Sequence, residues 1–222
     1  MLTVVLIVPN VWKAVVLTAL KCQMSNGNWQ QRIRFLLKSI MDEKKTWQKP
    51  WQNLLLQTLS RLCQDNAGRW PIRVALVGIG NEMRGDDMAG IVVIRSLVDA
   101  FSPTSPPHVL LVEAAHAPEN HTGPIRKFSP DLTILIDMAQ MDEPPGTVRW
   151  LPWQETTGIS ASTHTMPPYM LAQYLTAVTP TEVALIGIQP LHTNLGEPLS
   201  RVMETAVNEV SSSLKTILPC II

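Results

Sequence analysis

The chain has 222 residues, 45% of them hydrophobic and 16% charged, which is material for a real core and not the profile of a disordered protein. Its 18 Lys and Arg balance 18 Asp and Glu, so the formal net charge at pH 7 is +0 and no general electrostatic partner such as nucleic acid or an anionic membrane is implied. Cys22, Cys63 and Cys220 are too widely spaced for a structural zinc site or a disulfide framework, and fit a reducing cytoplasm.

Residues 1–8 and 11–20 are largely apolar, but Pro9, Asn10 and Lys13 interrupt them. The run falls short of the roughly 18 continuous apolar residues of a membrane helix. No Lys or Arg precedes Lys13 to supply the basic start of a signal peptide, and Lys21 before Cys22 spoils a lipoprotein cleavage site. Translation is expected to begin at Met24, leaving residues 1–23 untranslated.

Ile33, Leu36, Leu37 and Ile40 fall at helical spacing, and Trp51, Leu54, Leu55, Leu59 and Leu62 repeat it after Pro50. Two amphipathic helices are therefore predicted within 28–63, packed on the chain's own main domain or, as the alternative, on a partner. On this reading residues 1–70 are an N-terminal extension and 71–222 an α/β domain. In that domain strands are predicted at 73–78, 108–113, 132–137, 146–151 and 182–188. Helices are predicted at 87–101, 167–178 and 199–216, with a short one at 122–128. The nearly all-apolar Leu132-Thr133-Ile134-Leu135-Ile136 is what a strand covered on both faces needs. The alternation implies a three-layer α/β sandwich with a mostly parallel sheet flanked by helices. The segment 146–151 follows Pro144-Pro145 and alternates, as an antiparallel edge strand would.

The most informative stretch is Gly78-Ile79-Gly80-Asn81-Glu82-Met83-Arg84-Gly85-Asp86-Asp87-Met88-Ala89-Gly90, between two apolar runs. It reads as strand, glycine-rich turn, carboxylate pair and helix. Asp86 is expected to cap the helix, which leaves Asp87 to project above the sheet. A dinucleotide fingerprint fits poorly, because Met83 stands where its third glycine belongs and the carboxylates would repel a pyrophosphate. Asp137 closes the strand 132–137, and His164 sits in a loop before a helix. On the shared rim of a parallel sheet, Asp87, Asp137 and His164 could meet. Their O, O, N donor set suits a borderline divalent ion such as nickel or zinc, with positions left for water or substrate. His108, His116, His121 and His192 have no better claim from spacing. H-E-x-x-H, G-x-S-x-G and the phosphate-loop motif are missing.

Gly78-Ile79-Gly80-Asn81 with Gly85-Asp86-Asp87-Met88-Ala89-Gly90 closely resembles the opening of the nickel–iron hydrogenase maturation proteases. Ala117-Pro118-Glu119-Asn120, Ile136-Asp137, Thr163-His164-Thr165-Met166-Pro167 and Gly187-Ile188-Gln189-Pro190 follow in family order. The subgroup that processes formate-linked, energy-converting hydrogenases is the nearest likeness, over about residues 73–215. The resemblance implies an endopeptidase that removes the C-terminal extension of the hydrogenase large-subunit precursor once nickel is inserted. It places metal contacts on Asp87, Asp137 and His164, with nickel delivered by the substrate, and catalysis on Asp87 and Asp137, of aspartic type or metal-assisted. Gly80, Asn81 and Glu113 are expected to bind substrate, Glu113 standing where relatives often carry aspartate. The expected protein is a cytoplasmic monomer without a membrane span. A nickel-sensing chaperone that grips the precursor without cutting it is the alternative, and a nucleotide-binding domain a weaker third reading.

Overall fold

The computed structural model describes residues 49–65, 71–103, 105–156 and 166–221. The predicted helix around 28–40 and the His164 loop lie outside the described residues.

The first helix is α1 (Pro50–Asp65). Strand β1 (Val74–Ile79) leads through a loop and a 3-10 turn, Gly85–Met88, into α2 (Ala89–Phe101). Then come β2 (Val109–Ala115), a second 3-10 turn at Pro118–His121, and α3 (Thr122–Phe128). Strand β3 (Leu132–Met138) and strand β4 (Val148–Pro152) precede α4 (Pro168–Val178). Strand β5 (Glu182–Ile188) and α5 (Arg201–Ile217) complete the domain. Among the described residues the predicted strands and helices are all present, with ends shifted by a residue or two. One of these shifts has a cause at Gly85–Met88, where the chain makes a 3-10 turn before α2 begins.

The five strands run in the order β2-β1-β3-β5-β4. β1 pairs in parallel with both β2 and β3, and β3 pairs in parallel with β5. β4 lies antiparallel on β5 at the edge, as its alternation implied. Every residue of β1 and β3 is buried, which explains their largely apolar sequences. On β4, by contrast, Trp150 is buried and Arg149 is exposed.

The result is the predicted three-layer sandwich. Ala75, Val77 and Ile79 of β1 share a buried cluster with Ile125 of α3 and Leu171 and Leu175 of α4. On the opposite face α2 packs against α5 and across β1, β2 and β3. Helix α1 joins this body beside α5. Trp51 Nε1 donates to Glu209 at 3.0 Å, Gln52 Nε2 donates to Ser213 Oγ at 2.8 Å, and Arg61 pairs with Glu182. Trp51, Leu55, Leu56 and Leu59 form its buried stripe. Leu54 is exposed instead and Leu56 takes the inward place, because the face turned to the domain is displaced around the helix from the one the spacing marked. Each buried leucine there gains about 1.5–3 kcal/mol over leaving it in water.

Candidate active site

The strand order creates the crevice. The chain leaves β1 for β2 on one side and returns to β3 on the other, so β1 and β3 meet at the topological switch point of the sheet. Loops leaving adjacent strands in opposite directions part above their C-terminal ends, where open α/β sheets place their ligands. Asp87 follows β1, and Asp137 lies near the end of β3.

Two glycines bring these acids together. A Cβ on Gly90 would stand 2.1 Å from the Ile136 carbonyl oxygen and 2.4 Å from that of Ile79, so only glycine lets α2 begin directly on the ends of β1 and β3. Gly80 has φ +143°, a conformation that side chains rarely adopt, and a Cβ there would meet the Asp87 carbonyl oxygen at 1.8 Å. Gly80 N donates to Ala115 O at 3.0 Å, and Asn81 N donates to Asp87 O at 3.2 Å. Asn81 Oδ1 accepts from Met83 N at 2.9 Å, closing a local turn. Gly80 and Asn81 thus shape the loop that carries Asp87.

Asp87 and Asp137 are almost wholly buried, at 1% and 0% exposure. Burial, with the charge of Asp87 added to it, pushes the Asp137 carboxyl well above the usual carboxylate range. The Met138 N–H pulls the other way without closing a hydrogen bond. Neither Asp137 oxygen has a hydrogen-bond partner among the described residues. A buried carboxyl kept from ionising beside a charged carboxylate can act as an acid–base pair. The same oxygens are hard donors suited to a divalent cation.

Asp86 behaves differently from its expected role. Neither the 3-10 turn nor α2 has a side-chain cap. Fully buried, Asp86 instead accepts four hydrogen bonds from the 190–200 loop. Its Oδ1 takes Ser200 N at 2.7 Å, while Oδ2 takes Ser200 Oγ at 2.9 Å, Leu191 N at 2.8 Å and His192 N at 3.3 Å. Backbone bonds reinforce this junction: Gly85 N to Glu197 O and Asp86 N to His192 O, both at 3.1 Å, and Gly196 N to Met83 O at 2.7 Å. The partners lie more than a hundred residues downstream, so local spacing carried no sign of them.

Glu113 lies on β2 opposite Gly78 of β1. Arg95 of α2 grips it, Nε donating to Oε2 at 2.9 Å and Nη2 to Oε1 at 2.6 Å, and also pairs with Glu82. This surface pairing holds the Arg95 guanidinium even more firmly protonated than usual. The role of Arg95 escaped sequence reading, which had no means of registering α2 against β2. His164 lies outside the described residues, so the structure brings together Asp87 and Asp137 of the predicted trio.

The chain is thus a small α/β sandwich with two acids buried at the switch point of its sheet. The profile of the HycI hydrogenase maturation protease family matches residues 91–217, a span that holds Asp137 and His164 and begins just past Asp87. A Methanocaldococcus jannaschii protein, provisionally named a hydrogenase maturation protease, is 32% identical over 122 residues, covering 53% of this chain and 72% of its own. The hydrogenase 3 maturation protease of Escherichia coli is 29% identical over 142 residues, 63% of this chain and 87% of that protein. The crystal structure of a NiFe-hydrogenase maturation protease, HycI from Thermococcus kodakarensis, superposes with a TM-score of 0.61 at 30% identity, covering 72% of this chain and 99% of that one. The chain belongs to the hydrogenase maturation protease family.

Proposed function

We propose that this protein is an endopeptidase that removes the C-terminal extension of a nickel–iron hydrogenase large-subunit precursor after nickel insertion. It works as a cytoplasmic monomer. The observation that supports this reading best is the pair of buried acids at the switch point, with both Asp137 oxygens lacking a partner among the described residues. Such a pair suits a dication, which relieves the repulsion that burial has intensified.

Nickel belongs to the substrate on this reading. Asp87 and Asp137, with His164 as a third donor, take hold of the nickel already seated in the precursor. Three protein donors leave coordination positions for the precursor's own ligands. With a dication beside it, Asp137 can ionise. A carboxylate of the pair then draws a proton from water as that water attacks the scissile carbonyl, and the proton passes to the departing amide nitrogen. Without nickel Asp137 stays protonated beside Asp87, and cleavage waits for cofactor insertion.

The test is a cleavage assay with nickel-loaded and nickel-free precursor. Wild type is expected to release a short C-terminal peptide from the loaded precursor only. Asp87→Asn and His164→Ala are each expected to lower the rate by about 100-fold or more. Tight precursor binding without any cut would overturn the protease reading in favour of a chaperone. Equal cleavage of both precursors would overturn the nickel gate.

A further inference from the structure

We propose that Asp86 is a positioning residue, whose carboxylate locks the 190–200 loop to the turn carrying Asp87 so that both move as one wall of the crevice. The proposal rests on the reading of Asp87 as part of the site, and deepens it.

Asp86 is the residue next to Asp87 in the 3-10 turn Gly85–Met88, and has 0% exposure. A buried carboxylate is costly unless its lone pairs are filled. Here four donors fill them, and all come from one loop: the amides of Leu191, His192 and Ser200 and the Ser200 hydroxyl. Ser200 is also the N-cap of α5, its Oγ accepting from Met203 N at 3.3 Å. The clamp therefore ties the turn to the start of a long helix packed against α2. Main-chain bonds from Gly85, Asp86 and Gly196 cross the same junction. The turn is held independently on its other side, where Asn81 N reaches Asp87 O and Asp87 N reaches Arg84 O. With its backbone fixed from both sides, Asp87 has little freedom to leave the crevice, which is what preorganisation of a reacting group demands.

The arrangement predicts that Asp86 acts on the rate of cleavage rather than on capture of the precursor. Asp86→Asn keeps the size but turns an NH2 toward amide donors, breaking the clamp on one side. Amide hydrogen exchange in the full-length protein is expected to quicken at least tenfold at Leu191 and Ser200, and also across the junction at Gly85 and Asp87. Leu135 and Ile186 in the sheet should stay as protected as in wild type. With nickel-loaded precursor, kcat is expected to fall at least tenfold while KM stays within twofold. Ser200→Gly is a second variant that removes the hydroxyl donor to Asp86, together with the acceptor of Met203 N, at a cap position where glycine is tolerated. It should give the same pattern in weaker form, and serves if Asp86→Asn does not fold. Loosening confined to 190–200, with the Asp87 turn still protected, would overturn the proposal. So would wild-type kcat in Asp86→Asn, or a loss confined to KM. If wild type cuts nothing, the protease reading fails, and hydrogen exchange alone then decides whether the clamp exists.

Discussion

Asp137 combines burial at the end of a central strand with the nearby charge of Asp87, and its raised carboxyl has a consequence for stability. Between the ordinary carboxylate value and the raised native one, the folded state binds a proton that the unfolded state releases. The contribution of this group is therefore whole below about pH 4 and is lost as pH rises toward the native value. Asp137→Asn cannot ionise, so it is expected to raise Tm by roughly 3 °C or more at pH 8 and to leave it unchanged near pH 3.5. Thermal melts at the two pH values check this, and a matching Tm at pH 8 would refute it. Asp87 and Asp137 were legible in the sequence because each sits where a strand ends, and strand ends on a parallel sheet share a rim. The work of Asp86 was not legible, because its four donors belong to a loop that only the folded chain brings near.

At the scale of elements, periodicity identified the strands and helices because the sheet is covered on both sides and each helix turns one face to it. It failed where a helix start is set by backbone contact: the 3-10 turn and the seat of α2 depend on the carbonyls of Ile79 and Ile136. It also misjudged the rotation of α1, since Leu54 and Leu56 are equally apolar and only the position of α5 and β4 decides which turns inward. That assignment can be tested by comparing neighbours. Leu56→Ala is expected to cost about 2–5 kcal/mol, the usual range for emptying a sealed leucine site. Leu54→Ala, at an exposed position, should stay within about 0.5 kcal/mol. Urea denaturation of both variants measures the difference, and equal losses would mean that the helix is turned otherwise.

For the molecule as a whole, the equal numbers of acidic and basic residues put the formal net charge at +0 at pH 7. Without a net charge, copies do not repel one another, so solubility should pass through a minimum near that pH and recover by about pH 8.5. Static light scattering across the range tests this, and a flat profile would contradict it. The strand order and the family likeness meet in one feature, the seat of α2 on the ends of β1 and β3. What a side chain at position 90 would strike is main-chain carbonyl, belonging to two strands at once. A crowded side chain can be relieved by trimming its neighbour, but no substitution elsewhere shortens a peptide group. Position 90 is thus closed to neutral drift, whereas the half-exposed Glu113–Arg95 pair can change one partner at a time. Descendants of this chain can alter how the rim is decorated far more easily than where its acids are held.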